Sequence, residues 1–420
     1  MIHQLVLLVL WRIARRAVDH QAEAHRGGAA ADCVAIVPSD TENLVGARGD
    51  EAMLNAVTGT LFRKRPNQSI FVACSGRRAT SISAERGFGT FSVWGGPLMP
   101  LEFAQILKAV RPNIGLVVGA DIMDGHYSPV LSLRMLIAAD LLATFGAKTS
   151  FVGFSLNASA SRAMKYAFRH LDSRVRVNLR DRISWQRFQS ISGRKGNLVA
   201  DSAFLLEPAT DLSDKAAAAV AWMQRCHDAG RRVIILNLHP MLFSEVRGPS
   251  AMPRLMASML QAISAMTAQH ALSWLLLPHD NRPTSGDMRT LAALDREIDP
   301  SLGEHVMLVD EPPCASEIKA IAKYADGAVT GRMHLAIAAL GQTTPVMAFA
   351  YQDKFAGLLQ HFHMPDWLVL DAEASTDAGY LVARIERFVA ELPELRKEVE
   401  RYLPAVTAAA NATFEGLFEQ

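Results

Sequence analysis

Cysteine is scarce in this sequence. Its 420 residues include four, Cys33, Cys74, Cys226 and Cys314. No two of them have the Cys-x-x-Cys spacing of a zinc knuckle or a thioredoxin-like motif, which excludes both. Cysteines this far apart are typical of free thiols in a reducing compartment, so we expect a cytoplasmic protein.

An excess of charge of one sign is also missing. Lys and Arg number 43 and Asp and Glu number 42, giving a net charge of +1. Such a balance provides no overall field that would attract nucleic acid, and we expect no nucleic-acid partner. The apolar runs are far shorter than the ~20 residues of a membrane-spanning helix, so none is predicted.

Three motifs of cofactor and metal sites are absent. The sequence has no Walker A lysine loop, no Gly-x-Gly-x-x-Gly fingerprint after a strand and no His-x-x-x-His pair on a helix. We therefore expect no resident cofactor and no metal.

The first residues are unusual because an apolar run, Leu5 to Trp11, is followed by Arg12, Arg15 and Arg16. The charges come after the apolar run, which is the wrong order for a secretory signal. We expect a frayed extension, with Gln21 to Ala31 as a linker. The alternative is a basic amphipathic helix at the inner face of the cell membrane.

The rest of the chain alternates short apolar strands with helical patterns. Buried strands such as Ile114 to Val118 and Arg232 to Leu238 predict parallel sheets covered by helices on both faces. Leu206 to Ser213 is typical of a hinge. We therefore predict an α/β fold of two Rossmann-like, doubly wound domains facing a cleft. The predicted boundaries are 1–32 for the extension, 33–207 and 208–375 for the domains, and 376–420 for terminal helices.

The strongest chemical signal follows a predicted strand that ends at Thr330. Gly331 permits a turn, and a helix begins near Met333, where backbone N–H groups attract anions. Arg332 adds a guanidinium group suited to carboxylate or phosphate, and His334 can transfer a proton near neutral pH. This pattern indicates an acidic substrate whose reaction needs an acid.

His239 and His279 each end another strand of the same half, so we expect them at the same sheet edge as secondary substrate-binding candidates.

Several segments resemble the polysaccharide pyruvyl transferase family. The C-terminal match is Gly-Arg-Met-His-Leu-Ala at 331–336, followed by Thr-Pro-Val at 344–346 and Tyr-Gln-Asp-Lys at 351–354. Gly-Asp-Glu-Ala at 49–52, Arg-Asp-Arg-Ile-Ser at 180–184 and Asp-Ser-Ala-Phe at 201–204 resemble further family segments in the same order. The matches span about residues 35 to 360.

The resemblance implies the two-domain arrangement called GT-B and a transferase. Its donor would be phosphoenolpyruvate, and its acceptor a hydroxyl pair on a sugar of a surface polysaccharide or exopolysaccharide, or of a lipid-linked oligosaccharide precursor. By the same resemblance, Arg332 and Arg180 would bind the donor's anions, with the Met333 backbone lining the site. His334 would bind phosphate or act as the acid.

Two of the matched residues have structural alternatives. Asp50 is a catalytic or acceptor-side carboxylate by the resemblance, or an acid of a helix's first turn. Arg180 binds the donor, or pairs with an acid to stabilise a turn in which Ser184 is a cap. Asp201 would orient Arg180 or cap the loop.

Asp121, Asp124, His126 and Tyr127 follow the strand Ile114 to Val118, where the family is commonly less acidic. We interpret Asp121, Asp124 and His126 as catalytic candidates on the acceptor side, one of them the base. A divalent metal site and a simple turn are the alternatives.

Two other functions remain open. A GT-B glycosyltransferase would bind a nucleotide-sugar diphosphate at the Arg332 turn, and a non-catalytic relative would only bind a glycan.

Overall fold

The computed structural model describes residues 2–25, 32–92, 94–243, 251–280, 282, 286–350 and 353–419. The chain divides into two compact units. The first domain comprises Met1–Val45, Met53–Leu205 and Thr407–Gln420, and the second comprises Gly46–Ala52 and Leu206–Val406. The predicted linker residues 26–31 and two residues of the C-terminal motif, Tyr351 and Gln352, lie outside the described residues.

The first domain is built on a five-stranded parallel sheet in the order β3-β2-β1-β4-β5, beside a two-stranded sheet of β6 and β7. Its strands are β1 Cys33–Val37, β2 Ser69–Ala73, β3 Gly89–Phe91, β4 Ile114–Val118, β5 Lys148–Val152, β6 Asn178–Leu179 and β7 Asn197–Leu198. Its helices are α1 Ile2–His25, α2 Arg48–Lys64 (of which residues 48–52 belong to the second domain), α3 Arg77–Glu85, α4 Met99–Val110, α5 Pro129–Phe145, α6 Arg162–His170 and α7 Arg182–Ser192.

The second domain contains a six-stranded parallel sheet in the order β10-β9-β8-β11-β12-β13. Its strands are β8 Arg232–Asn237, β9 Leu272–Leu276, β10 Val306–Leu308, β11 Gly327–Thr330, β12 Val346–Ala350 and β13 Val369–Asp371. Its helices are α8 Asp214–Asp228, α9 Ala251–His270, α10 Met288–Glu297, α11 Ala315–Ala322, α12 Met333–Leu340, α13 Lys354–Gln360 and α14 Ala378–Asn411, the last of which continues into the first domain. Short 3₁₀ helices occupy Ser202–Leu205, Pro240–Phe243, Pro300–Leu302, Asp366–Leu368, Ala374–Thr376 and Ala412–Phe414.

Both sheets have the order expected of doubly wound domains. The strand order reverses between β1 and β4 in the first domain and between β8 and β11 in the second. Strand residues such as those of β4 and β9 are fully buried, which explains why they appear as apolar runs in the sequence. At such a reversal, the loops leaving the two neighbouring strands diverge and leave room for a ligand.

The N-terminal segment differs from the frayed extension that we expected. Residues 2–25 form α1, which packs against α4 and α5. Its inner face, formed by Leu7, Trp11, Ala14 and Val18, is buried in the core of the first domain. The Trp11 Nε1 donates a hydrogen bond of 2.7 Å to Asp140 Oδ2, whose pKa is raised by burial.

Two further segments are more regular than an inspection of their sequences suggests. The glycine-rich region Ala79 to Met99 contains most of α3 and all of β3, and Phe91 and Trp94 are core residues there. The two predicted terminal helices form the single helix α14, which contains Pro393 and Pro404. Among helices of the described residues, none has the length and apolarity that crossing a membrane takes.

Candidate functional site

The candidate site lies in the second domain, at the carboxyl ends of β8, β9 and β11. His239 follows β8, His279 follows β9 and Arg332 follows β11, as predicted from the sequence. The loops after β8 and β11 touch, since a Cβ on Gly331 would be 2.9 Å from the Cβ of His239. These loops leave the sheet where its strand order reverses.

Arg332 is held between two buried carboxylates. Its Nε and Nη2 donate to Asp287 Oδ1 at 2.8 and 2.6 Å, and its Nη1 lies 3.1 Å from Asp280 Oδ2. The Arg332 backbone N–H donates to Thr330 Oγ1 at 2.9 Å, which fixes the turn into α12. Because the guanidinium side chain is only 11% exposed, its orientation is set before any ligand arrives.

Asp287, at the start of α10, organises this part of the site. Besides Arg332, it accepts hydrogen bonds of 2.9 Å from the Asn237 side chain and from the His279 backbone N–H, both at Oδ2. Burial raises the pKa of Asp287, while Arg332 acts in the opposite direction. Asp287 therefore ties together the ends of β8, β9 and β11. Sequence reasoning missed it, because no motif or strand end marks its position.

Asp280 extends the cluster towards a second guanidinium group. It accepts a 2.5 Å bond from Arg282 Nη2 and forms a bridge through its backbone with Ala47. Asp280 is fully buried, whereas the Arg282 side chain is 41% exposed. Both residues lie directly after the predicted strand that ends before His279, so their position at this edge could have been predicted.

Residues 46–52 belong to this site although they precede most of the first domain in the sequence. The Arg48 backbone N–H donates to His279 O at 3.4 Å, and its guanidinium donates to Glu51 Oε2 at 2.9 Å and to Pro312 O at 2.7 Å. Glu51 Oε2 also accepts a 3.3 Å bond from the backbone N–H of Ala315. Asp50 is half-buried and lies in the first turn of α2, where the alternative interpretation of a first-turn helix acid would place it.

His334 is in the first turn of α12 and packs directly on Gly49. A Cβ on Gly49 would be 2.3 Å from the His334 Nδ1 and 2.8 Å from its Cγ, so only glycine fits this position without movement. Met333, the first residue of α12, is half-buried like His334. The first N–H groups of a helix lack intrahelical partners, so this turn can bind an anion beside His334 and Arg332.

The third histidine, His279, is buried near two arginines and two other histidines. Its pKa is lowered well below 6.5, first by burial and then by His334, Arg332, Arg48 and His239. His279 is therefore neutral at neutral pH and adds no positive charge to the site.

Arg180 lies in the first domain within a buried network. Its Nε donates to Ser155 Oγ and its Nη1 to Asp201 Oδ2, both at 2.7 Å, and the Arg180 and Asp201 side chains are 1% exposed. Asp181 caps α7 by accepting from the Ser184 backbone N–H at 2.6 Å. The ion pair matches the structural alternative for Arg180, with Asp201 as the acid, but the capping residue is Asp181 and not Ser184 as expected.

The loop after β4 carries the acceptor-side candidates at the strand-order reversal of the first domain. The Asp124 carboxylate is fully buried and accepts from the backbone N–H groups of His126 at 2.7 Å and Asn157 at 2.8 Å. Asp121 is half-buried, whereas His126 and Tyr127 are exposed. Asp124 thus fixes the loop that presents the other side chains. Among the described residues, no three His, Cys, Asp or Glu side chains are placed to hold a metal.

Solved structures with a similar fold are GT-B-like epimerases and glycosyltransferases. A putative UDP-N-acetylglucosamine 2-epimerase from Listeria monocytogenes has a TM-score of 0.60 at 11% identity, over 91% of this chain and 94% of that one. The UDP-GlcNAc 2-epimerase from Neisseria meningitidis has a TM-score of 0.56 at 9% identity, over 92% and 100%. A glycosyltransferase from Rickettsia africae has a TM-score of 0.51 at 10% identity, over 91% and 97%. These likenesses confirm the predicted α/β, GT-B-like fold class.

The family resemblance is confirmed by a sequence model. Comparison with curated proteins yields no match. The model of polysaccharide pyruvyl transferases matches residues 48–353, which include Gly49, Arg180, Arg332 and His334. The chain is therefore a transferase that belongs to the polysaccharide pyruvyl transferase family.

Proposed function

We propose that this transferase moves a pyruvyl group from phosphoenolpyruvate to two hydroxyls of one sugar, in the cytoplasm, during the synthesis of a surface polysaccharide or exopolysaccharide. The observation that carries the proposal is the placement of Arg332 beside the first turn of α12, where His334 lies. A rigid guanidinium group and helix N–H groups suit a donor with a carboxylate and a phosphate.

The proposed reaction needs an acid and a base. Protonation of the donor's methylene carbon, C3, makes C2 electrophilic, and the first sugar hydroxyl adds there as it loses its proton. The second hydroxyl then displaces phosphate from C2, giving a cyclic ketal and inorganic phosphate. Of the two protons released, one balances the proton taken up by C3 and the other leaves with phosphate.

We assign the acid or phosphate-binding role to His334 and donor binding to Arg332, with Met333 contributing its backbone N–H. His239 and His279 line the donor side, and the neutral His279 can bind without adding charge. Asp50, Asp121 and His126 stay candidates for the base. The buried contacts of Asp124 and Arg180 support positioning roles for these two residues.

Thermal unfolding of the full chain with phosphoenolpyruvate tests the proposal, with UDP- and GDP-sugars as comparison ligands. A ligand at about 100 times its Kd stabilises by roughly 2.7 kcal/mol. We expect a shift with phosphoenolpyruvate that Arg332→Lys reduces and Arg254→Gln retains, because Arg254 is exposed and pairs with Glu373, which is exposed as well. Stabilisation by a nucleotide-sugar alone would contradict the proposal and favour a glycosyltransferase. The absence of any shift, together with no phosphate release from phosphoenolpyruvate and a sugar acceptor, would favour a non-catalytic glycan-binding protein.

A further inference from the structure

The outward face of α1 is apolar and exposed. This outer stripe consists of five residues whose exposure ranges from 37% to 80%: Ile2, Leu5, Val6, Val9 and Ile13. Their spacing of three to four residues places them on one side of the helix, opposite the buried inner face. Burial of the inner face explains why α1 docks on the first domain, but it does not explain an apolar outer stripe.

Positive side chains border the outer stripe. Residues 2–18 include no Asp or Glu, and Arg12 and Arg16 are exposed. The Arg12 guanidinium donates to the Tyr166 hydroxyl of α6 and lies 5.6 Å from its ring centroid, so α6 contacts α1 at this point.

Helix α6 adds more positive charge next to α1. It exposes three cations, and with Arg12 and Arg16 they form what we term the basic border: Arg12, Arg16, Arg162, Lys165 and Arg169. Arg15 is not counted, because Asp140 and Asp172 lie 3.5 and 3.4 Å from its guanidinium nitrogens.

We propose that the outer stripe and the basic border bind the surface of a bilayer that contains anionic lipids, with α1 lying in the plane of the interface. Apolar side chains enter the acyl boundary, while the cations pair with lipid phosphates. A second copy of the chain fits this face less well, because symmetric pairing through the stripe would bring two identical basic borders together. The proposal does not depend on pyruvyl transfer.

Vesicle sedimentation of the full chain tests this surface. The probes are vesicles of phosphatidylcholine alone and of phosphatidylcholine mixed with phosphatidylglycerol, at low and high salt. We expect binding to the anionic vesicles that high salt weakens. Leu5→Gln with Val9→Gln should weaken it about tenfold or more, and Arg16→Gln with Lys165→Gln should do the same and reduce its salt dependence. Leu198→Gln, which changes a 46% exposed leucine in the same domain, should bind as the unchanged protein does.

Three results would overturn the proposal. The first is equal binding to both kinds of vesicle, or to neither. The second is a folded Leu5→Gln/Val9→Gln protein that binds anionic vesicles normally. The third is a change from dimer to monomer in that variant without any vesicle binding, which would assign the stripe to a second copy. The phosphoenolpyruvate shift should persist in every variant, so failure here is distinguishable from failure of the proposed reaction.

Discussion

Gly49 and His334 are in contact although 285 positions separate them in the chain, and the imidazole occupies the space where a side chain of residue 49 would be. The Gly-Asp segment and the Arg-Met-His segment, which match the family at opposite ends of the chain, thus meet in one site. Glycine at position 49 is therefore a requirement of the site, independent of any backbone strain.

Gly49→Ala should displace the His334 ring, because the new Cβ would be 2.3 Å from Nδ1. If His334 has the proposed role, the proposed pyruvyl transfer should fall by about 100-fold or more, the range of a misplaced acid, measured as phosphate release. Gly59→Ala is the matched control on the same helix, since its Cβ would have only Arg63 Nη1 nearby, at 3.8 Å. That control should be neutral or stabilising by up to ~1 kcal/mol. Full activity in Gly49→Ala would show that His334 has no role in the reaction.

Asp287→Asn should destabilise the second domain and weaken donor binding. The substitution removes the negative charge that pairs with Arg332. It also replaces one of the two carboxylate oxygens, each of which accepts two N–H groups, with an amide NH2 that cannot accept. Breaking such a buried pair costs roughly 3 to 5 kcal/mol, measurable by urea unfolding. Glu373→Gln breaks the exposed pair with Arg254 instead and should cost no more than ~1 kcal/mol. Equal losses in the two variants would show that Asp287 does not organise the site.

Stability should fall as the pH drops below about 6.5, the ordinary pKa of histidine. The folded-state pKa of His279 lies well below 6.5. Below pH 6.5 the unfolded chain therefore binds a proton at His279 that the folded chain does not bind. The stabilisation is complete above 6.5 and is lost as the pH falls, by at most about 1.4 kcal/mol per pH unit for one proton. Urea unfolding at several pH values between 5 and 8 gives the unfolding free energy at each pH, and in His279→Gln this free energy should change less with pH. His170→Gln, which removes an exposed ring, controls for the loss of a histidine; an unchanged slope in His279→Gln would contradict the assignment.

Trp11→Phe should weaken the attachment of α1 by about 1 to 3 kcal/mol, because the buried Asp140 loses the donor at Nε1. Ile13→Ala, at a 52% exposed position of the same helix, should stay within about 0.5 kcal/mol. Chemical unfolding measures both. If both variants changed the unfolding free energy by similarly small amounts, the packing of α1 would contribute little to the stability of the core.

A mutant cycle on Arg180 and Asp201 distinguishes positioning from donor binding. Each single change, Arg180→Met or Asp201→Leu, removes one charge of a buried ion pair and should cost roughly 3 to 5 kcal/mol. The double change should restore much of that loss. If Arg180→Met instead left stability intact and abolished the phosphoenolpyruvate shift, Arg180 would be a donor ligand.

The alternation of strands and helices was predictable because buried parallel strands are apolar runs bounded by polar turns. The element β3 was not, because Gly89 lacks β propensity and pairs where the Phe71 ring leaves no room for a side chain. The single helix α14 was also not predictable, because prolines such as its interior Pro393 and Pro404 usually end or kink a helix.

In the site, His239, His279 and Arg332 were predictable because each follows a strand of one parallel sheet. Asp287 was not, since its position depends on long-range contacts that have no local pattern. Glu51 lies in a matched segment, but its bond with Ala315, 264 positions away, has no sequence pattern that predicts it.

The second domain is not a continuous stretch of chain. Residues 46–52, which supply Gly49 and Glu51, come before nearly all of the first domain, and residues 407–420 return to that first domain. A chimera that joins the front half of one relative to the back half of another at residue 206 would therefore pair His334 with a foreign Gly49 segment. Donor sites exchanged between relatives must be transplanted as two pieces, 46–52 together with 206–406.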